Sequence, residues 1–219
     1  MDEEGKVIPI YKPKGMTSFA ALKKVRNLLC IKKIGHAGTL DPLAEGVLIL
    51  LTDSKTKLMG EFLKFEKEYI ATVQFGISSP SDDLETKPIV VAEHLTLTEE
   101  KLREKLTEFI GEVEQIPPSF SATWVNGKRS YELARKGKSV TLKPKRVLIK
   151  TIELLSFELP YAKLKIVCSS GTYIRSLVRD LGNSLGIGAV LVDLVRTRIG
   201  SYTLEDAIRI EEIKRVVAV

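Results

Sequence analysis

The sequence predicts an α+β fold, with a largely antiparallel or mixed central sheet flanked by helices. Strand-like alternation and helix-like periodicity both occur along the chain, and they do not follow a regular βαβ order. The 219 residues are 44% hydrophobic and 28% charged, which is average for a globular protein. No internal repeat or low-complexity tract divides the chain, so we predict one domain over residues 1–219.

The N-terminal part is predicted to contain a strand, a helix, a shaped loop and a second strand. Residues 7–11 form the first strand, and Thr17 or Ser18 caps the helix that follows. Residues 35–46 are a glycine-rich loop. The apolar run at residues 47–51 predicts a buried strand.

The middle of the chain is predicted to add a strand and a capped helix. Residues 68–76 alternate and are rich in strand-forming side chains. The pattern from Thr96 to Glu99 matches a capping box. We expect the helix behind it to bury four apolar side chains, Leu102, Leu106, Phe109 and Ile110.

The C-terminal part is predicted to hold an antiparallel strand pair, a helix, a strand and a short final helix. Residues 147–159 and 162–168 are the two paired strands, joined by a tight turn at Pro160. The helix spans residues 174–185, with Leu177, Val178, Leu181 and Leu185 facing inward, and the next strand spans residues 194–199.

Composition excludes several classes of protein. No apolar run approaches the ~18 residues that span a membrane, and the acidic N-terminus is unlike a signal peptide. Cys30 and Cys168 give no disulfide framework, which favours the cytoplasm. These cysteines and the two histidines, His36 and His94, lack metal-ligand spacing. With no phosphate loop or dinucleotide fingerprint, we predict chemistry without a metal or cofactor.

Positive charge is concentrated in residues 117–146. This segment holds eight basic side chains and one acidic one, a net +7 in a chain whose total is +6. Such a concentration favours a polyanion such as a nucleic-acid backbone, and a solvated surface is the alternative. Asn126-Gly127 predicts a turn inside the segment, and residues 131–135 predict a short helix. We interpret the segment as an insertion that projects from the sheet.

Four side chains are candidates for the chemistry. Asp41, in the glycine-rich loop, is a potential nucleophile or base, although Asp41-Pro42 also fits an ordinary turn. Arg175 opens a helix, where a cation is disfavoured, so it either pairs with a carboxylate such as Asp41 or is a surface arginine. Tyr69 is a core aromatic or a stacking platform. His36 contacts a base or is a loop histidine bonded to the backbone.

Seven stretches in a fixed order identify a family. They are residues 11–18, 35–46, 67–69, 117–122, 125–135, 171–175 and 194–200. With these motifs the sequence resembles the TruB family of tRNA pseudouridine-55 synthases over nearly its whole length. The resemblance implies the pseudouridine synthase fold with a basic thumb insertion at about residues 117–146.

The resemblance also implies roles for the candidate residues. Asp41 corresponds to the family's catalytic aspartate, and Arg175 to the arginine paired with it. Tyr69 corresponds to the tyrosine that stacks on the target uracil and assists catalysis. His36 and Tyr173, with Tyr69 and Leu194, correspond to residues that line the pocket of the flipped nucleotide.

The thumb is implied to bind RNA through basic side chains, for which we name Lys128, Arg129, Arg135 and Arg146. The implied activity is isomerisation of uridine 55 in the T loop of tRNA by base flipping and Asp41 catalysis, without a cofactor. The implied partner is the tRNA T stem-loop, bound by a cytoplasmic monomer that needs no protein partner. The alternatives are an RNA-guided relative and a tRNA-binding or folding module without catalysis.

Three features depart from the family pattern. The family usually carries a C-terminal PUA domain, and we expect none within the chain, which ends at Val219. Trp124 stands where a basic or aliphatic residue is common, and Val195 where a second arginine is usual. We expect both substitutions to weaken contacts with RNA and to leave the chemistry intact.

Overall fold

Strands and helices follow one another irregularly along the chain, and most strand pairs are antiparallel. The computed structural model describes residues 4–125 and 127–217, so the turn predicted on Asn126 lies outside the described residues. This mixture of helices with a mostly antiparallel, partly parallel sheet confirms the predicted α+β class.

The strands are β1 (Val7–Lys12), β2 (Ile34–Ala37), β3 (Ala44–Thr52), β4 (Lys67–Phe75), β5 (Ile77–Ser78), β6 (Ile89–Val90), β7 (Gly111–Gln115), β8 (Trp124–Val125), β9 (Lys128–Arg129), β10 (Lys145–Glu158), β11 (Tyr161–Cys168), β12 (Ala189–Ile199), β13 (Tyr202–Thr203) and β14 (Ile208–Arg209). The α-helices are α1 (Ser18–Leu28), α2 (Met59–Lys64), α3 (Glu99–Thr107), α4 (Ser130–Ala134), α5 (Ile174–Ser184) and α6 (Ile213–Val217). No helix in the described part of the chain is both long and apolar enough to cross a membrane.

The chain divides into two units. The first holds the residues up to Ile70 and those from Leu194 onwards, and the second holds Ala71–Asp193. The chain passes from the first unit to the second within β4 and returns within β12. The expectation of one functional domain over residues 1–219 stays a prediction.

The core of the first unit is built on β3, which pairs with β1, β2 and β12. Leu48 and Leu50 belong to a hydrophobic cluster that includes β1 and α1. Ile49 and the alternate residues on the same face of β3 belong to a second cluster, which includes Phe62 of α2. Because side chains alternate along a strand, both faces of β3 are covered, as the apolar run predicted.

The second unit is built on the antiparallel pair β10 and β11, with β7 on the far side of β10. Helix α5 buries Leu177, Val178 and Leu181, three of the four apolar positions predicted for it. The fourth, Leu185, is half-buried at the end of the helix. The predicted periodicity of this helix is therefore confirmed.

Helix α3 begins later and ends earlier than the sequence pattern predicts. Its N-cap is Thr98, whose hydroxyl accepts the backbone N–H of Lys101, and not Thr96. Leu102 and Leu106 are buried as predicted, but Phe109 and Ile110 lie beyond the helix, and Ile110 is exposed. Two threonines precede the helix, and a capping pattern alone does not decide which one caps it.

Two other boundaries also differ. Strand β12 begins at Ala189, five residues before the predicted start, because its first residues are as apolar as its last. Strand β10 begins at Lys145, so the final two residues of the basic segment 117–146 lie in the sheet.

Candidate active site

Ser18, at the start of α1, holds the loop that carries Asp41 through two hydrogen bonds. The buried Ser18 hydroxyl donates to the carbonyl oxygen of Leu40 at 3.0 Å, and its oxygen accepts the Leu40 N–H at 2.8 Å. On the other side, the N–H of Gly15 donates to the Pro42 carbonyl at 2.7 Å. The residues on both sides of Asp41 are therefore held by other elements, and the half-buried Asp41 is presented from a restrained backbone.

Arg196, on β12, donates hydrogen bonds to the segments before and after Asp41. Its buried guanidinium donates from Nη2 to the carbonyl of Gly38 at 2.9 Å and from Nε to the carbonyl of Val47 at 2.8 Å. Gly46 lies directly beside it with a φ of +107°, and a Cβ there would stand 2.3 Å from the Arg196 carbonyl oxygen. The close approach of β3 to β12 therefore requires glycine at this position.

A buried lysine contributes a second cation near Asp41. Lys12 is 0% exposed, and its ammonium donates to the carbonyls of Met16 at 2.6 Å and Pro13 at 3.0 Å. Burial, with a smaller effect of the positive charge of Arg196, lowers the pKa of Lys12 to about 8. The carboxylates of Asp41 and Glu45 act in the opposite direction and raise this pKa.

Three other predicted site residues lie in the first unit with Asp41. Tyr69 is buried on β4, where it satisfies the core interpretation, and its stacking role stays a prediction. Leu194 is buried on β12 and is in register with Ala44 of β3, three residues after Asp41. His36 is half-buried on β2.

The surroundings of His36 favour its neutral form. Burial, and then the Arg196 cation, lower the pKa of His36 below its ordinary value of 6.5. Its buried Nδ1 has no hydrogen-bond partner among the residues that the structure describes. The sequence-based interpretation of His36 as a loop histidine satisfied by the backbone is therefore not supported at this nitrogen.

Arg175 is a buried residue of the second unit. Only 4% of it is exposed, so the alternative of a surface arginine is wrong. Its guanidinium donates to the carbonyls of Ser81 and Phe120, both at 3.1 Å, and lies 3.6 Å from the carboxylate of Asp83. Helix α5 thereby fixes this cation against two loops, and its predicted pairing with Asp41 stays a prediction.

Tyr173, one residue before α5, is held by a buried glutamine. The Gln115 side chain accepts the Tyr173 N–H at 3.0 Å and donates to the Tyr173 carbonyl at 3.4 Å. The Tyr173 hydroxyl is 3.2 Å from that of Thr123, in the basic segment. Gln115 and Asp83 were not singled out from the sequence, because no local pattern marks a residue whose partner lies dozens of positions away.

The basic segment folds as a short hairpin followed by a helix. Strands β8 and β9 pair antiparallel, and α4 follows directly. Lys128, Arg135 and Arg146 are exposed. Arg135 forms an ion pair with Glu85 at 2.6 Å, and Arg146 lies 3.4 Å from the carboxylate of Glu114. These exposed pairs are screened by solvent and contribute little to stability.

Family models match the whole region from residue 26 to the end of the chain. The model described as TruB family pseudouridylate synthase (N terminal domain) matches residues 26–174. The model described as tRNA pseudouridylate synthase B C-terminal domain matches residues 175–219. The chain belongs to the TruB family of pseudouridylate synthases.

Individual proteins support the TruB assignment. The tRNA pseudouridine synthase B of Phocaeicola vulgatus is 50% identical over 215 residues, which are 95% of this chain and 92% of that protein. The enzyme of the same name from Bacteroides thetaiotaomicron is 47% identical over 97% of this chain and 92% of that protein. The resemblance to the TruB family seen in the sequence is therefore confirmed.

Solved structures confirm the expected pseudouridine synthase fold of this TruB family member. The crystal structure of a Cbf5-Nop10-Gar1 complex matches with a TM-score of 0.74 and 27% identity. That match covers 97% of this chain and 56% of the matched chain, so this chain spans little more than half of that protein. Within residues 4–125 and 127–217, no group of three or more His, Cys, Asp or Glu side chains could hold a metal ion.

Proposed function

We propose that this chain converts uridine 55 in the T loop of tRNA to pseudouridine, with Asp41 as its catalytic carboxylate. The observation that carries the proposal is identity of about half with enzymes named tRNA pseudouridine synthase B, over nearly all of both chains. Membership of the TruB family establishes the class of reaction. The position in tRNA and the roles of individual residues are the proposal.

The reaction is an isomerisation that needs no added group. The N1–C1′ bond of uridine breaks, the uracil turns, and a C5–C1′ bond forms. The proton on C5 leaves and N1 gains a proton, so the atoms of substrate and product are the same. Nothing is oxidised or reduced, and an enzyme has to supply a nucleophile or base, a base-binding pocket and a route for the proton.

Asp41 supplies the carboxylate. Its backbone neighbours are fixed by Ser18, Gly15 and Arg196, which is the preorganisation that carboxylate catalysis requires. The carboxylate adds to C1′ of the sugar, adds to C6 of the base, or removes the C2′ proton to give a glycal. All three routes use one positioned oxygen.

The pocket for the flipped uracil is formed by Tyr69, His36, Tyr173 and Leu194. Removing a base from its stack costs a few kcal/mol, and a new stacking surface offsets roughly 1–3 kcal/mol of that. Tyr69 is the aromatic ring in this set that is buried on a strand, which supports it as the stacking surface. Neutral His36 offers a hydrogen-bonding nitrogen without a competing positive charge.

Arg175 orients and balances the Asp41 carboxylate. Its guanidinium is held in place by the carbonyls of Ser81 and Phe120, which accept from Nη1 and Nη2. Asp83, 3.6 Å from the same guanidinium, balances its charge while the substrate is absent. This support explains why a charged side chain is stable at 4% exposure.

The thumb at residues 117–146 grips the RNA backbone. Its Lys128, Arg129, Arg135 and Arg146 contact phosphates, and recognition depends mainly on the shape of the loop. The enzyme acts as a monomer in the cytoplasm, without a protein partner. Neither Cys30 nor Cys168 is in a disulfide, in keeping with a reducing compartment.

The two alternative functions, an RNA-guided synthase and a tRNA-folding module, have different molecular requirements. An RNA-guided synthase needs a guide RNA, and a tRNA-folding module needs no Asp41 carboxylate. The Cbf5 likeness has 27% identity, far below that of the bacterial TruB relatives, and so favours the stand-alone enzyme.

The test uses purified full-length protein and an unmodified tRNA transcript, with no other RNA or protein present. Pseudouridine is mapped by position, and a transcript with cytidine at position 55 is the matched control. We expect one pseudouridine per tRNA at position 55 and none in the control. Modification at other uridines, or none from a folded protein that binds the tRNA, contradicts the proposal.

A further inference from the structure

Trp124 is the most conspicuous exposed aromatic side chain of the basic segment. It is the single tryptophan of the chain, and 62% of it is exposed. Tryptophan is usually well buried, because its ring has a large apolar area. An indole left in solvent on a two-residue strand gains little from the fold, so its position calls for a partner outside the chain.

Arg129 stacks on this ring. Trp124 and Arg129 are directly opposite each other in the β8–β9 hairpin, and the guanidinium carbon lies 4.2 Å from the ring centroid. The same guanidinium also donates to the carbonyl of Ala122. The indole is thus backed by a fixed planar cation, and stacking of this kind restricts the side-chain rotation of both residues.

The hairpin is connected to the candidate pocket through the next residue. Thr123 precedes Trp124, and its hydroxyl lies 3.2 Å from the hydroxyl of Tyr173. The base of the hairpin is closed by the N–H of Ser130, which donates to the Thr123 carbonyl at 2.8 Å. Trp124 is therefore presented from a backbone that is bonded to a proposed pocket residue.

The charge around the ring indicates what covers it. Lys128 and Arg129 share the hairpin with Trp124, and the whole segment 117–146 carries a net +7. An apolar protein partner is not attracted by this density of positive charge. An aromatic ring within a basic strip is the combination that binds unpaired nucleotides, with the ring under the base and cations on the phosphates.

We propose that Trp124, backed by Arg129, is a stacking platform for an unpaired nucleotide of the substrate RNA outside the target-uracil pocket. The proposal rests on the proposed function and extends it to a residue at which this chain departs from the common family pattern. Stacking on Trp124 offsets the weakening of RNA binding expected from the sequence at this position. Affinity at Trp124 then depends on the π-face of a base and only weakly on salt.

The sole tryptophan makes the test direct, because its fluorescence reports on this site alone. Wild-type protein is titrated with an unmodified T stem-loop RNA, and N-acetyltryptophanamide with the same RNA corrects for absorption. We expect saturable quenching whose midpoint equals the Kd from a mobility-shift assay. Unchanged emission at saturating RNA overturns the proposal. It means that RNA does not cover the ring, which is then exposed to solvent or contacts a protein.

Substitutions separate stacking from simple apolar contact. Trp124→Phe keeps a ring and is expected to bind close to wild type, whereas Trp124→Leu is expected to weaken binding roughly 5- to 100-fold. Tyr161→Leu removes an exposed aromatic from the β10–β11 turn and serves as the matched control, with no expected effect. Equal affinities of the Trp124→Leu and wild-type proteins contradict stacking.

The salt dependence distinguishes the two members of the platform. Trp124→Leu is expected to shift the plot of log Kd against log salt without changing its slope. Arg129→Gln is expected to reduce the slope by about 0.7–0.9. A reduced slope for Trp124→Leu means that the ring acts by placing cations and not by stacking.

Pseudouridine formation is measured on the same wild-type sample. Turnover at position 55 with unchanged fluorescence rejects the platform and retains the proposed function. Quenching without turnover retains the platform and rejects the activity.

Discussion

The hydroxyl oxygens of Tyr173 and Thr123 lie 3.2 Å apart, so the basic segment is hydrogen-bonded to the residue that precedes helix α5. Gln115 holds the backbone of Tyr173 on both its N–H and its carbonyl, which fixes the position of the backbone that carries the phenol. The hairpin that presents Trp124 and Arg129 is thereby positioned from the same helix start that buries Arg175.

Thr123→Val tests this connection, because valine keeps the shape of threonine and removes the hydroxyl. We expect the Kd for T stem-loop RNA to rise about 3- to 10-fold, which is the value of one neutral hydrogen bond, while kcat is retained. Thr123→Ser keeps a hydroxyl and is expected to bind like the wild type. A loss of kcat with unchanged Kd argues against a positioning role in RNA binding.

Gly46→Ala is expected to destabilise the first unit strongly. The φ of +107° strains an alanine, and its Cβ stands 2.3 Å from the carbonyl oxygen of Arg196, so β3 and β12 are forced apart. We expect a loss on the order of 3 kcal/mol in the free energy of unfolding, measured by urea denaturation. Gly60→Ala, in helix α2 with open space around it, is the control and is expected to be neutral or to stabilise by at most about 1 kcal/mol. Equal stabilities of the two variants refute the close-approach argument.

Ser18→Ala is expected to loosen the Asp41 loop. It leaves the buried N–H of Leu40 without its acceptor, at a cost of roughly 1–3 kcal/mol in unfolding free energy. Because Leu40 precedes Asp41, we also expect a lower kcat at little change in RNA affinity. Ser201→Ala, at an exposed turn, is the control for both measurements. A Ser18→Ala protein with normal kcat shows that the loop is held without this bond.

Asp82 is expected to make stability depend on pH. Burial raises its pKa to about 6, although Arg179, 2.9 Å away, and Arg175 act to lower it; Asp180 also raises it. In the unfolded chain the same carboxyl titrates near its ordinary value of 3.8. Between pH 4 and pH 6 the folded state therefore holds a proton that the unfolded state has released, so this group's contribution to stability falls as pH rises through that window.

Asp82→Asn removes this contribution. We expect the difference in unfolding free energy between the variant and the wild type to change by on the order of 2–3 kcal/mol from pH 4 to pH 6.5, in favour of the variant at the higher pH. Asp180→Asn removes another partner of Arg179 and keeps the Asp82 carboxyl. Because the Asp180 charge is the smallest contribution to the raised pKa of Asp82, the pH profile of this variant should stay close to that of the wild type. Parallel profiles for Asp82→Asn and wild type mean that Asp82 is charged throughout this range.

The fold class and most elements could be predicted because local patterns determine them. The apolar run of β3 and the periodic apolar face of α5 both require burial, and the structure buries them. The ends of α3 could not be predicted from the local sequence, since Thr96 and Thr98 are equally suitable as capping residues. Only the structure shows that Thr98 accepts the backbone N–H.

The supporting residues of the site were beyond prediction because their roles arise from distant contacts. Lys12 and Arg196 were not singled out from the sequence, yet both are buried. Lys12 is bonded to carbonyl groups of the turn that follows it, and Arg196 to carbonyl groups about 150 positions away. Asp83 is 92 positions from Arg175 in sequence, and only folding brings their charges together. The resemblance to the TruB family therefore indicated Asp41, whereas the residues that support the site required the structure.

The most direct test of the account is a single-turnover comparison of wild type and Asp41→Asn on RNA tritiated at C5 of uridine. Because C5 loses its proton when the C5–C1′ bond forms, turnover releases tritium to water. We predict release by the wild type, and release at the background rate by a folded Asp41→Asn protein that binds the RNA with a Kd close to that of the wild type. Wild-type release rates in Asp41→Asn, or loss of RNA binding in parallel with activity, would contradict a catalytic role for Asp41.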